Sequence, residues 1–341
     1  MSKTTICRFR AVVLALCAVL LLAGNTYADV NRVRIGHSPG FSFLPIYLME
    51  HDKLMEKHAK AAGLGDITVE YPEFTGGAAM NDALLSGNME FVNGGVPPYL
   101  ILWARAVGTS SEVRALGAVS AGPAILFSRN PQVHSIRDLT QKDRISVAAV
   151  RASQVAILLE MAAEQEFGAA QYARLDDLTV SMPQPDSVIM MTARQTMEID
   201  THFTVPPYTL IEQRDPMIHA ILNSKDVLGG IGTVIVAYTT TRFHDANPHL
   251  VAAYQAALQE AAQFIHDHPR RTAEIYRQMT HDPLSVDDLD ALVRDPDISY
   301  QATPTKMMVF ADFMARLGSL HKRPADWRDL FFAEARSLPG N

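Results

Sequence analysis

Five short stretches of the chain carry the side chains best suited to holding a small molecule. "HSPGFSF" sets His37, Ser38, Phe41 and Phe43 around Gly40, which lets the backbone turn tightly. "FTGGAA" offers Thr75 as a helix cap and exposes the amide N–H groups of Gly76 and Gly77. Gly95 and Val96 end a third strand-like run, and Arg151, Ser153 and Gln154 open a predicted helix just after another. Thr201, Phe203 and Thr204 lead into Tyr208, and Ser120 sits within "AVSAGPAIL". Hydroxyls, amides, rings and one arginine suit noncovalent capture of a small anion with an organic tail. Each charge-assisted hydrogen bond to such a group contributes about 1.5–3 kcal/mol.

The same loops hold almost no carboxylates, so they lack the acid–base pair that a hydrolase or lyase needs. G-x-S-x-G, the P-loop and H-E-x-x-H are all missing from the sequence. His266 and His268 stand two apart and do not share a helical face. The acidic stretch "SVDDLDALVRDPD" lacks calcium-loop spacing and reads as an exposed helix capped by Ser285. The expectation is a binding protein with no catalytic residue, no metal and no cofactor.

These loops need a scaffold, and the chain supplies one twice. From Asn31 short β-like runs alternate with helical ones: "VRIGHS", "LPIYLMEHDKLMEKHAK", "ITVEYPEF", "AAMNDALLSG", "MEFVNGG", "PPYLILWARAVG". The recipe repeats in "RISVAAV", "ASQVAILLEMAAEQEFG", "LTVSM", "PDSVIMMTARQT", "MEIDTHFTV" and "PPYTLIEQRD". Such alternation predicts βαβ units and mainly parallel sheets. Both series end a strand in Val-Pro-Pro-Tyr, at Val96–Tyr99 and Val205–Tyr208. Proline in a first helical turn costs nothing there, because that N–H is unpaired anyway. Ligands of open parallel sheets sit beyond the carboxyl ends of the strands, where helix N-termini present free amides. Two lobes carrying the same device would face each other across a cleft. After "GTVIVAYTTT" the pattern turns helical, as in "PHLVAAYQAALQEAAQFIHDHP".

The N-terminus sets the compartment. Lys3, Arg8 and Arg10 precede 13 apolar residues, Ala11 to Ala23, and then small residues at Thr26 and Ala28. That is the pattern of an export signal cleaved after Ala28, and the apolar run is too short to span a membrane. Both cysteines, Cys7 and Cys17, lie inside it, so the mature chain has no disulfide, thiol nucleophile or thiolate metal site. Taking 28 residues from 341 leaves 313, enough for two lobes, and moves the net charge from −7 to −10. A surface so acidic disfavours nucleic acid as a partner.

Taken together, "IGHSPGFSFLPIYL", "EFTGGAAMNDALLSGNMEFVNGGVPP", "AGPAILFSRNPQVHSIRDLTQKDRISVA" and "PDSVIMMTARQTMEIDTHFTVPPY" resemble the periplasmic substrate-binding proteins of ABC importers. The likeness is to the sulfonate/nitrate/taurine branch, which also contains binders of thiamine pyrimidine precursors, and it covers roughly residues 30–335. One departure is Arg151-Ala152-Ser153, where the family often has Lys-Gly-Ser. The resemblance implies a type II periplasmic-binding-protein fold, each lobe a mainly parallel α/β sheet flanked by helices. Residues 29–120 plus 237–341 would form one lobe and 121–236 the other. Crossovers near 118–126 and 234–242 would act as the hinge. The implied partners are a small-molecule ligand and a membrane permease with its ATPase, and the implied state is a monomer in the periplasm. Sulfonate- or taurine-like anions come first as cargo. The alternatives are a flat aromatic or pyrimidine-type ligand, or a sensory role on the same fold. The exported protein is expected to begin at Asp29, which N-terminal mass spectrometry of periplasmic material checks; an intact Met1 contradicts the signal.

Overall fold

The hydrophobic runs of the sequence become ten strands among the residues described by the computed structural model, 31–193 and 198–341. The expected export signal over 1–28, its cleavage point after Ala28, and Met197 of the second repeat lie outside the described residues. In chain order the strands are β1 (Arg32–Gly36), β2 (Thr68–Glu70), β3 (Phe91–Gly95), β4 (Val113–Ala121), β5 (Ile125–Ser128), β6 (Ile145–Val147), β7 (Thr179–Ser181), β8 (Thr201–Thr204), β9 (His219–Asn223) and β10 (Thr233–Thr240).

They form two five-stranded sheets of matching design, ordered β2-β1-β3-β10-β4 and β7-β6-β8-β5-β9. In each, three strands are parallel and the fourth enters antiparallel: β10 beside β3, and β5 beside β8. β5 follows β4 through Gly122, Pro123 and Ala124, and β10 returns after residues 229–232. β10 therefore runs across the expected boundary at 236/237 and lies whole in the first sheet, because it fills the gap between β3 and β4. The return crossing precedes β10 rather than falling at 234–242. β9 was not among the expected strands; its run "HAILN" is short and only half-buried.

Local chemistry explains the main helices. The helix Gln154–Phe167 starts where the Ser153 Oγ accepts from the Ala156 N–H, and it stops at Gly168. Val286–Val293 is held by a capping box between Ser285 and Asp288, matching the cap read from sequence. Pro248–Asp267 buries Leu250, Tyr254, Ala257, Leu258, Ala261 and Ile265 on one face, at helical spacing. The expected single helix over 44–60 is broken into Leu44–His51 and Leu54–Ala61 at Lys53, whose φ is +52°. None of the described helices is long and apolar enough to cross a membrane.

The core of the first sheet tolerates little change. The buried Tyr238 Oη donates to Asn81 Oδ1 at 2.6 Å, and a Cβ built on Gly94 would stand 2.6 Å from that same Oη. Gly94 is thus the space that lets β3 and β10 pair around the ring. Gly94→Ala is expected to destabilise the protein by about 1–3 kcal/mol through overpacking. Chemical denaturation checks this, and a neutral result would show that the ring moves aside freely.

Candidate functional site

The site is built where the carboxyl ends of β1 and β3 meet the start of the helix after β6. β10 lines up the parts: Ile235 pairs with Gly95 on one side and with Ser120 on the other. Gln154, from the second-sheet segment, reaches across this row. Its Nε2 donates to the Thr233 carbonyl at 3.1 Å, so the amide oxygen Oε1 is turned away, buried and without a hydrogen-bond partner. Gly95 provides the space opposite, since a Cβ there would be 4.0 Å from that oxygen. Ser120 is 2% exposed, and its Oγ also has no partner. It lines a cavity of about 10 Å3 together with Phe41, Tyr300, Val205 and Pro206. That is room for about one water. Buried polar atoms are normally paired, so two orphans at one junction point to a group that completes them.

Beside this junction an open groove of about 760 Å3 runs between Thr75, Gly76 and Gly77 on one wall and Ala149 and Ser153 on the other. Volumes of this order hold small-molecule ligands. The helix Gly77–Leu85 begins at Gly76 with no side chain capping its first amides, so Thr75 does not act as the expected cap. Arg105 and Asp82, both exposed, also line the groove. Ten residues of helix separate Arg105 from Gly95, on the order of 15 Å.

A wall of rings closes the other side. The 3-10 turn Phe41–Phe43 is set by Gly40, whose φ of +132° only glycine adopts readily. Phe41 meets Tyr276 edge-on at 5.1 Å, and Tyr276 meets Tyr47 at 5.5 Å. His37 is 1% exposed, packs on Tyr47 and Phe43, and has Nδ1 3.2 Å from the Ser38 carbonyl. Burial holds its imidazole below the ordinary value. Tyr47 donates to Glu73 Oε1 at 3.0 Å. Tyr208, brought from the second sheet, lies half-buried beside these groups. Burial, then the Asp282 and Glu73 charges, push its hydroxyl up to about 12.

Several expected site residues have hydrogen-bond or packing partners within the scaffold. Arg151 has φ +55°, and its Nε donates to Asp176 Oδ2 at 2.7 Å. Ser153 spends its hydroxyl on the helix cap and on the Ala149 carbonyl at 2.8 Å. Thr201 lies at the far end of β8 and donates to Asp200 at 2.9 Å. Thr204 donates to Gln184 Oε1 at 2.6 Å, and Phe203 and Val96 are fully buried in the core. The two Val-Pro-Pro-Tyr copies also differ. The first opens the helix Val96–Ala106, whereas the second has a cis Pro206–Pro207 bond and its short helix begins only at Tyr208. Sequence reasoning missed Glu73, Tyr47, Tyr276 and Asp282. Glu73 stood in view, directly before "FTGG".

Glu160 lies under the Arg151–Asp176 pair and is 6% exposed. Burial, then the Asp176 charge, raise its carboxyl to about 7, with Arg151 opposing. A raised carboxyl favours the protonated native state, so stability is lost as pH climbs from about 4.5 to 7. Glu160→Gln is expected to gain about 1–3 kcal/mol at pH 8 and nothing at pH 4. Denaturation at both pH values checks it, and an equal effect at the two contradicts the burial account.

No protein-family model matches the chain, and no curated protein does. Solved structures do. The chain is 16% identical to the alkanesulfonate-binding protein of Xanthomonas axonopodis pv. citri bound to MOPS, over 90% of this chain and 98% of that one, with a TM-score of 0.67. Against the periplasmic nitrate-binding protein of Synechocystis PCC 6803 the values are 15% identity, 91% and 90% coverage, and TM-score 0.66. A Candida albicans gene product described as having the generic periplasmic binding protein fold gives 14%, 86%, 92% and 0.63. The chain has the periplasmic-binding-protein fold.

Proposed function

We propose that this chain is the solute-binding component of an ABC import system, acting in the periplasm as a monomer. It captures a small molecule between two lobes and delivers it, unchanged, to a membrane permease with its ATPase. The observation that carries the reading is the buried, partnerless Gln154 Oε1 from one sheet's segment beside Gly95 of the other, with the partnerless Ser120 Oγ across β10. A ligand touching both sides would complete these atoms and favour the closed arrangement. The fold shared with sulfonate- and nitrate-binding proteins supports the same role.

The first sheet, with its flanking helices, is the core of one lobe, and residues 125–223 build the other. Exposed ion pairs tie them, Arg316 to Glu164 at 2.6 Å and Arg214 to Asp288. Pairs of this kind contribute about 0–1 kcal/mol each, so they do not prevent opening. Of the two cargo classes, the flat aromatic or pyrimidine-type ligand is favoured over the sulfonate- or taurine-like anion. The guanidinium on which the anion reading leaned, Arg151, is engaged with Asp176, while the half-buried Tyr208 offers a ring.

The test is a thermal-shift screen of the mature protein after unfolding and refolding to strip carried-over ligand. The panel holds alkanesulfonates, taurine, nitrate, aminopyrimidines and aromatic carboxylates. At 100 times its dissociation constant a ligand adds about 2.7 kcal/mol, which raises the melting temperature by several degrees. A hit is expected to compact the protein in solution scattering. A ligand that binds without compaction contradicts the two-lobe capture.

A further inference from the structure

The open groove of about 760 Å3 is larger than a single-ring cargo needs. A cavity of about 150 Å3 suffices for one benzene ring. Two helices give the groove its shape. The lining face of Gly77–Leu85 runs through Gly77, Asn81 and Leu85, and that of Val96–Ala106 through Pro98, Leu102 and Ala106. Both sets recur at i, i+4 and i+8, so each wall is on the order of 12 Å long. Spread over that length, the volume gives a cross-section on the order of 60 Å2, broad enough for ring systems rather than one extended chain. The helices touch at their starts, where a Cβ on Gly77 would stand 2.7 Å from Pro98 Cβ. Ala148, Ala149 and Ala152, from the segment before Gln154, add a third wall of small side chains.

The walls are apolar in what they offer. Asn81 is engaged at both ends, its Nδ2 donating to the Pro98 carbonyl at 3.1 Å and its Oδ1 accepting from Tyr238 at 2.6 Å. The hydroxyl of Thr109 donates to the Ala106 carbonyl at 2.6 Å, and that of Ser153 to the Ala149 carbonyl at 2.8 Å. The other polar side chains of the groove, Thr75, Asp82, Arg105 and Ser111, are exposed and keep their water. Leu85 is the reverse case. It is a large apolar side chain left 45% exposed, one of three such among the described residues, and it stands in the groove. Covering it gains free energy in proportion to the apolar area removed from water.

We propose that the groove seats an extended ring system, two or more linked or fused rings, whose apolar body lies between the helices Gly77–Leu85 and Val96–Ala106 and covers Leu85. An ion-sized or single-ring cargo would leave most of the groove to water. A strongly polar body would find the half-buried polar groups of the walls already engaged. This inference rests on the solute-binding reading and fixes the size of its cargo.

Benzoate, 2-naphthoate and 4-phenylbenzoate share one head and grow by rings, and the matching carboxamides repeat the series without the charge. Calorimetric titration of the ligand-stripped exported protein with both series is the test. Each two-ring compound is expected to bind at least about tenfold more tightly than its one-ring parent. Leu85→Gln is expected to weaken the two-ring compounds by about threefold to tenfold. Ala78→Phe, which fills the groove, is expected to erase the gain from the second ring. Both residues are exposed, so the melting temperature of the ligand-free protein should stay unchanged. Equal binding within a series, or a ring gain that survives either variant, overturns the proposal. Binding or compaction by a member of the thermal-shift panel, with no gain from a second ring, sinks the extended cargo and leaves the solute-binding reading intact. If no compound of either set binds or compacts the protein, both fall.

Discussion

The position of β10 is the constraint on which the rest of the structure depends. It is the one strand that leaves the second sheet's segment and inserts between β3 and β4, and its backbone hydrogen bonds hold both neighbours. Removing it would leave two strands with unpaired buried edges, which backbone polar groups do not tolerate. The insertion forces a second crossing beside the first, so Gly122–Ala124 and residues 229–232 run near each other. The same insertion sets Gly95, Ile235 and Ser120 in one row. The site is therefore a by-product of how the sheet closes, and its depth follows from the small side chains at two of those three places.

Polar bookkeeping then separates scaffold from site. Thr201, Thr204, Ser153 and Arg151 are all polar and all near strand ends, yet each has a partner within its own half. Gln154 is divided: one end ties it to Thr233 in the opposite half, and the other is free. Ser120 is free altogether among the described residues. A buried hydroxyl or amide without a partner costs about 1–3 kcal/mol, which a bound group would relieve. The ring wall supplies shape rather than strain, since its edge-to-face contacts are already favourable without a ligand.

Much of the architecture was legible in the sequence because it is written in period. The alternation of strand and helix, the doubled Val-Pro-Pro-Tyr and the helical C-terminal part follow from hydrophobic spacing and proline chemistry. β9 escaped because "HAILN" is brief and half-exposed, and the second Val-Pro-Pro-Tyr was over-read because identical letters carry different backbone states. The site was harder. His37, Gly95, Ser120 and Gln154 were named from their place after strands, which is a local property. The ion pair of Arg151 was not legible because its partner, Asp176, is 25 residues away and joins it only in three dimensions. Glu73 and Asp282 went unread for the same reason: a carboxylate in a loop shows its neighbours only once the helices that carry Tyr47 and Tyr276 are packed.

Capture of a ligand between the two halves requires contact with both at the Gly95–Gln154 junction. Hydrogen exchange of the ligand-stripped protein, followed with and without a saturating ligand, tests it most directly. Amides at Gly95 and Val96, and those at Gln154 to Ala156, are expected to become slower to exchange together. Protection confined to one of these two segments, or to neither, would contradict it.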